Sequence, residues 1–411
     1  MTSTKKCRMC KSSNLDRFLD LGFTPPADQF LRADQLAQSE THYPLDVYMC
    51  RDCGLAQLGT VVPPEILYQN EYPYESSTTK TGREHWASFA REVVSALNLK
   101  ANSLVVDVGS NVGVLLGAFR DEGMRVCGVD PAPNIVEIAN SRGIETLCDF
   151  FSDQSAEAIV QKLGKASVIT GTNVFAHVDD LDAFMRSVRI LLDDNGVFVF
   201  EAPYFADLVK HLEYDTIYHE HLSYLAVTPL VPFFTRLGME VFDVTRSEIH
   251  GGSIRVFVGK GAARPVSDRV TTLVAREAEL GLSSAEVLGK FAADVAHHRD
   301  ELAWLLHSLK KDGKRIVGVS APAKGMTLLN YCRIGPELLD FVTEKSKLKI
   351  GRYSPGMHIP VMPDAMLLEA KPDYALVLAW NFAEEIMKNL SEFRAQGGKF
   401  IIPVPRPVIV G

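Results

Sequence analysis

The sequence predicts an α/β protein in three parts: a small N-terminal module, a central doubly wound domain, and a second, Rossmann-like α/β domain at the C-terminal end. Three observations predict it. Four cysteines pair up near the start of the chain, an apolar strand runs into a glycine turn between Val105 and Gly113, and strand-like and helix-like segments alternate in two separate stretches. At 411 residues the chain is too long for one ordinary core, and boundaries are expected at 1–65, 66–262 and 263–411.

The first part consists of short apolar pieces broken by Gly22, Pro25, Pro26, Pro44, Pro63 and Pro64, which predicts a loop-rich module. Its Cys7-x-x-Cys10 and Cys50-x-x-Cys53 pairs have knuckle spacing and together offer four thiolates to one tetrahedral Zn²⁺. Four protein ligands leave no open position, so this metal is expected to be structural. Zinc contributes about 10–16 kcal/mol of apparent folding free energy to small modules, enough to offset a thin core. Lys5, Lys6, Arg8, Lys11 and Arg51 surround the thiols and are expected to offset their charge. Two redox dithiols remain the alternative.

In the second part, helix-like Trp86–Leu97 precedes strand Leu104–Val108. Then follow strand Val126–Asp130, helix Asn134–Arg142, strand Val168–Thr172, helix Asp180–Leu192 and strand Val197–Ala202. Such alternation predicts a doubly wound sheet. Val241–Thr245 and Ile254–Val258 flank Gly251-Gly252 as a closing antiparallel pair, typical of class I methyltransferases. The third part opens with a long helical stretch, Val266–Leu309. Its strands are expected at Arg315–Val319, Leu339–Val342, Tyr374–Ala379 and Phe400–Pro403.

The glycine turn carries the cofactor reading. Its Gly109-x-x-x-Gly113 spacing is not the Gly-x-Gly-x-x-Gly that admits a pyrophosphate, and Asp130 ends the next strand where an acid reaches ribose hydroxyls. A nucleoside cofactor without phosphates fits, and S-adenosylmethionine (SAM) is the expectation. Asp107, Gly109, Asn111 and Gly113 form the turn. Asp149 and Phe150 follow the third strand toward the adenine, and Asn173 ends the fourth strand beside the sulfonium. His177, just beyond, is a candidate active-site group. Gly113 as mere helix packing, Phe150 as core and His177 as a capping residue stay open.

Tyr218-His219-Glu220-His221-Leu222-Ser223-Tyr224 crowds two histidines, an acid and two tyrosines into one short segment. Acid–base machinery is the leading reading, because a histidine transfers protons near neutral pH and a carboxylate orients it. A metal site and a structural hydrogen-bonded network are the alternatives. Further on, Lys324 in the opening Val317–Gly325 is placed to meet a diphosphate. Lys349, Arg352, Tyr353 and Gly356 in the loop Lys347–Gly356, with Trp380 and Asn381 after the Tyr374–Ala379 strand, complete a candidate nucleotide handle.

The paired cysteines, the SAM turn, the Tyr-His-Glu-His motif and the second α/β domain occur in the order found in the SAM-dependent sugar C-methyltransferases, which this chain resembles over essentially its whole length. Members act on 4-keto-deoxy sugar nucleotides, typically at C3. The resemblance implies that His221 is the general base, with Glu220 orienting and charging it. It places Tyr218 and Tyr72 on the ketone oxygen, with Tyr74 a rival lining the substrate site. It also implies a nucleotide-linked keto-sugar as substrate, held in part by the C-terminal domain.

The totals limit other readings. The hydrophobic fraction of 46% and charged fraction of 23% are usual for soluble globular proteins. A net charge of -8 without a basic cluster argues against nucleic acid. No apolar run suits a bilayer, Thr2 to Lys6 lacks a signal-peptide core, and seven cysteines form an odd set; a cytoplasmic protein is expected, monomer or dimer. An O- or N-methyltransferase of the same architecture competes. So does a NAD(P)-dependent sugar-nucleotide oxidoreductase, which Asp130 favours and the missing Gly-x-Gly-x-x-Gly opposes. A zinc-ribbon nucleic-acid binder is opposed by the acidic balance.

Overall fold

In the computed structural model, which describes residues 2–3, 6–69, 72–76, 79–261 and 264–411, the N-terminal region is sheet rather than loop. Lys5 and the expected boundary at 262–263 lie outside the described residues. Strands β1 (Thr2–Ser3), β2 (Leu15–Thr24), β3 (Tyr43–Cys50), β4 (Ala56–Leu58) and β5 (Thr60–Val61) carry the region. Along β3, Tyr43, Leu45, Val47 and Met49 are buried while the residues between them are half-exposed, the period of two that sets a strand on a core. The prolines do not break this sheet, because Pro44 pairs with Phe23 beside an irregularity in the register.

The central region runs α1 (Pro64–Tyr68), α2 (Lys80–Ala96), β6 (Leu104–Val108), α3 (Val114–Asp121), β7 (Arg125–Asp130), α4 (Pro133–Ser141), β8 (Thr146–Cys148), α5 (Asp153–Leu163) and β9 (Ala166–Thr170). It continues through α6 (Leu181–Leu191), β10 (Leu192–Pro203), α7 (Phe205–His211), β11 (Ser223–Tyr224), α8 (Val227–Arg236), β12 (Met239–Ser247) and β13 (Ser253–Lys260). Its sheet has the order β12-β13-β10-β9-β6-β7-β8, with β13 antiparallel to both neighbours. The chain builds outward from β6 to β8, then returns to β9, so the crevice at the carboxyl ends of β6 and β9 is the topological switch point. Strand β11 does not join this sheet. It pairs with β4 in a four-stranded sheet of order β11-β4-β3-β2, tying the segment after His221 to the cysteine module.

The expected helical stretch is two helices, α9 (Asp268–Glu279) and α10 (Ala285–Lys311). Gly281 takes a left-handed φ of 59°, and the Ser284 side chain caps α10 by accepting from the Val287 N–H. Helix α9 packs against α8 and β12. Its buried Glu277 accepts from the Tyr204 hydroxyl and the Val227 and Thr228 amides. This helix therefore sits with the central sheet, one element beyond the expected boundary.

The last region holds β14 (Ile316–Val319), α11 (Ala323–Tyr331), β15 (Val342–Glu344), β16 (Val361–Pro363), β17 (Tyr374–Val377), β18 (Lys399–Ile402) and β19 (Val408–Val410), in the order β16-β15-β14-β17-β18-β19, parallel except for β19. The strand expected at Leu339–Val342 starts only at Val342; Leu338 and Leu339 are buried as turn residues. One buried apolar cluster runs through all three regions. No helix among the described residues is long and apolar enough to cross a membrane.

Candidate active site

Both cysteine pairs adopt one turn. The N–H of Cys7 donates to the Ser12 carbonyl at 2.7 Å and that of Cys50 to the Leu55 carbonyl at 2.9 Å, while the carbonyls of Cys7 and Cys50 accept from Lys11 and Gly54. Lys11 and Gly54 occupy the left-handed region that closes each knuckle. The four sulfurs lie within 4.8 Å of one another, with Cys7–Cys53 and Cys10–Cys50 both at 3.5 Å. Sulfurs about 2.3 Å from one ion stand about 3.8 Å apart in a tetrahedron, so the set fits Zn²⁺. Three of the cations expected to offset the thiolates also pair with carboxylates: Arg8 with Asp179, Lys11 with Asp182 and Arg51 with Asp16.

At the switch point, Gly109 (φ 64°) and Gly113 (φ 78°) are left-handed, and a Cβ on either would collide with Val174 or Ile144. The glycines thus serve close packing as well as the open turn. Asp130, buried at the end of β7, accepts the Asn111 and Ala132 amides at 2.9 and 3.0 Å, one on each carboxylate oxygen. Each oxygen keeps a second lone pair, which suits a ribose diol. Asp107 is satisfied inside the sheet by the Thr170 hydroxyl at 2.6 Å, and burial pushes its pKa up to about 7. The Asn111 side chain latches the segment 72–76, accepting from the Ser76 amide and donating to the Tyr74 carbonyl, so its role differs from the direct cofactor contact expected. Asp149 is exposed and Phe150 half-buried at the crevice edge. The turn, the acid and this open edge fit SAM.

Beyond the crevice, a cavity is walled by residues from all three regions: Asp28, Tyr72, Tyr74, Asn173, His177, Tyr218, Glu220, His221, Lys324, Lys349 and Asn381 among them. His221 is oriented by the chain just before it. Its Nδ1 lies 2.7 Å from the Thr216 carbonyl oxygen, which can only accept, so Nδ1 carries the hydrogen and, in the neutral ring, Nε2 carries the lone pair. The Thr216 carbonyl, not Glu220, is the orienting group at this nitrogen, which corrects the expected role of the acid. Glu220 instead accepts the Tyr72 hydroxyl at 3.0 Å. Burial, then the charge of Asp28, pushes its pKa up to about 8, so at neutral pH it is largely protonated rather than a charge for the imidazole.

Burial and then Glu220 hold the Tyr72 and Tyr218 phenols well above their ordinary pKa, so both remain O–H donors. The Tyr218 and His221 ring centres are 3.9 Å apart, and His177 lies 5.0 Å from His221. Burial, then His221, pushes the His177 pKa well below 6.5. Its Nδ1 is 3.2 Å from the Tyr68 hydroxyl, and its buried Nε2 has no hydrogen-bond partner among the described residues.

At the opposite wall, neither the Lys324 ammonium nor either polar atom of the Asn381 amide has a hydrogen-bond partner among the described residues. Lys324 lies 4.3 Å from the centre of the Trp380 ring. Arg352 and Tyr353 are not on the cavity wall, contrary to expectation. The Tyr353 backbone bridges Leu31 and Pro360, and Lys349 lines the cavity from the same loop. Lys349 pairs with Asp28 at 3.0 Å and donates to the Ala321 carbonyl at 2.8 Å. His219 packs edge-on against Tyr43, away from the cavity, and burial lowers its pKa to about 4. Sequence reasoning pointed to Lys349 but missed Asp28, Tyr68 and Thr216. None belongs to a motif, and Asp28 reaches the site only through the packing of the cysteine module.

A seven-stranded sheet with one reversed strand, a glycine turn at its switch point and an acid closing the adjacent strand define a class I SAM-dependent methyltransferase. Family comparison agrees: a methyltransferase domain matches residues 83–244, a zinc-binding domain residues 7–68, and a C-methyltransferase C-terminal domain residues 248–405. The C-methyltransferase NovU of Streptomyces niveus is 36% identical over 98% of this chain and 96% of its own. The chain belongs to this family of C-methyltransferases, with SAM as cofactor and a zinc-binding N-terminal module. A ubiquinone biosynthesis O-methyltransferase of Methylobacterium nodulans is 31% identical over 27% of this chain and 44% of its own. A solved SAM-dependent methyltransferase from Clostridium acetobutylicum covers 44% of this chain and 92% of its own at 14% identity, with a TM-score of 0.34, too distant to add to the family match.

Proposed function

We propose that the protein methylates the carbon next to the ketone of a nucleotide-linked 4-keto-deoxy sugar, at C3, with His221 as the base. The observation that carries this reading is the fixed tautomer of His221, whose hydrogen on Nδ1 is spent on the Thr216 carbonyl. Its Nε2 lone pair takes the proton from carbon, and the C–H electron pair moves onto the ketone oxygen. A proton of pKa roughly 20 against about 6.5 for imidazole is a gap near 18 kcal/mol, too large for a base alone. Tyr72 and Tyr218, kept protonated by burial, supply O–H donors to the developing enolate oxygen. Neutral Glu220 holds Tyr72 through its hydroxyl, and the neutral imidazole of His177 offers Nε2 to a substrate hydroxyl. SAM, held by Asp130, the Gly109–Gly113 turn, Asp149 and Phe150, supplies the electrophilic methyl group, and Asn173 lines the approach. Lys324 and Asn381 meet the diphosphate and nucleoside.

The test is His221→Asn, assayed by mass spectrometry with thymidine-, guanosine- and cytidine-diphosphate 4-keto sugars. Loss of a general base lowers turnover by about 10²–10⁴. SAM binding by calorimetry stays unchanged, and deuterium exchange at the substrate carbon disappears. Normal turnover by this variant removes His221 from the chemistry. An O- or N-methyltransferase would show methyl gain without any carbon exchange.

A further inference from the structure

Between Cys7 and Cys10 the first knuckle carries Arg8, whose side chain is 1% exposed. Its Nε donates to Asp179 at 2.9 Å, and its Nη1 donates to the Leu58 carbonyl at 2.9 Å and the Leu222 carbonyl at 3.1 Å. Asp179 follows His177 closely, and Leu222 directly follows His221. The same Leu222 carbonyl accepts the Leu58 amide at 3.0 Å, and β11 then pairs with β4, Ser223 opposite Gln57. The backbone amide of Arg8 donates to the Gln57 side chain at 2.9 Å, closing the loop. One residue of the metal knuckle thus holds the two segments that place imidazoles in the cavity, with rings 5.0 Å apart. A planar guanidinium serves several acceptors in fixed directions; an ammonium on a flexible stem does not hold the same set.

We propose that Arg8 is a positioning residue through which the zinc-bound knuckle fixes the His177 and His221 segments against each other. The zinc then acts on the reaction at a distance, by holding the frame to which both segments are fastened. This inference rests on the reading of His221 as base.

The experiment uses full-length Arg8→Lys with its zinc quantified. The expected result is retained zinc, SAM affinity within about twofold, and a kcat about tenfold lower with little change in KM for the sugar nucleotide. Its kcat–pH profile is displaced on the acid side, and amide hydrogen exchange across 216–224 is faster. Exchange reports the tether whatever His221 does chemically, so normal turnover by His221→Asn would sink the base and leave this measurement standing. Unchanged kcat and unchanged exchange in zinc-replete Arg8→Lys overturn the inference. Should that variant lose zinc or fail to fold, Asp179→Ala decides, since its side chain is 51% exposed and lies outside the knuckle. Faster exchange over 175–179 with a lowered kcat supports the tether; no change in either overturns it.

Discussion

At the end of β6 the chain turns through Gly109 and Gly113 and meets its crevice with carboxylates, whereas at the end of β14 it turns through Ser320 and Pro322, and the cavity wall adds an ammonium and an amide to the Glu344 carboxylate that accepts the Ala321 amide. The two sheets share a plan: in each, the first strand lies at the switch point and a helix follows the turn. Their polar groups differ. Asp130 is anchored by two backbone amides yet keeps lone pairs for hydroxyl donors. The polar atoms of Lys324 and Asn381 are buried with no hydrogen-bond partner among the described residues, which is costly unless a ligand supplies partners. Ser320, a non-glycine residue at φ 67°, adds strain where the turn faces the cavity. Similar strand orders therefore present different side chains, and the side chains at the strand ends decide what such an opening can bind.

Of the changes that test this contrast, Lys324→Met, which keeps the stem and removes the charge, should have the largest effect. Losing a buried charge-assisted contact costs about 1.5–3 kcal/mol, so kcat/KM for the sugar nucleotide should fall up to about 100-fold. SAM affinity, measured separately by calorimetry, should not move. An equal loss of SAM binding would erase the division of labour between the two openings. Next comes Asp130→Asn, which retains one acceptor oxygen but turns an amide toward a backbone N–H. SAM affinity should weaken about tenfold, near 1.4 kcal/mol, while KM for the sugar nucleotide holds. The reverse pattern would mean that the acid serves the substrate side.

How far each opening could be read in advance follows from the same contrast. The β6 turn was legible because its strand is a continuous apolar run and its glycines and Asp130 sit at the spacing a parallel sheet imposes. At β14, Lys324 and Asn381 were legible as polar residues beside apolar strands, but the loop 347–356 was not. Lys349, Arg352 and Tyr353 were read together as nucleotide contacts, and with Leu31 packed against that loop Lys349 reaches the wall while Arg352 and Tyr353 do not. Similarly, Leu339 and Phe341 read as strand because burial and strand both favour such residues. The break between α9 and α10 was visible as Gly281 with Ser284. The prolines of the first part outweighed the period-two pattern of Tyr43–Met49 and hid its sheet. Asp28 and the tether of Arg8 are products of long-range packing, for which a single chain of residues carries no local signal, whereas Thr216 meets His221 through a local turn of the chain that no motif marks.

The smallest effect concerns Glu220, which lies where the two openings face each other, and it sharpens the contrast by asking which side governs the space between. Burial, then Asp28, raises its folded pKa from the ordinary 4.5 to about 8. Below the unfolded value both states hold the proton, and the stability tied to the protonated folded form is fully present. Between about 4.5 and 8 the unfolded chain has released a proton that the folded protein keeps, so raising the pH favours unfolding until that stability is gone at about pH 8. Glutamine does not titrate. Glu220→Gln should therefore gain stability relative to the unsubstituted protein as pH goes from 6 to 8, by about 1 kcal/mol per pH unit, and its unfolding temperature should rise accordingly. Zinc-replete protein without substrate is the sample, and thermal melts across this range are the measurement. A difference that stays flat would mean Glu220 ionises normally in the folded state. The cationic wall around Lys324 and Lys349, rather than Asp28 and burial, would then set the charge of the cavity, and Glu220 would face substrate as a carboxylate.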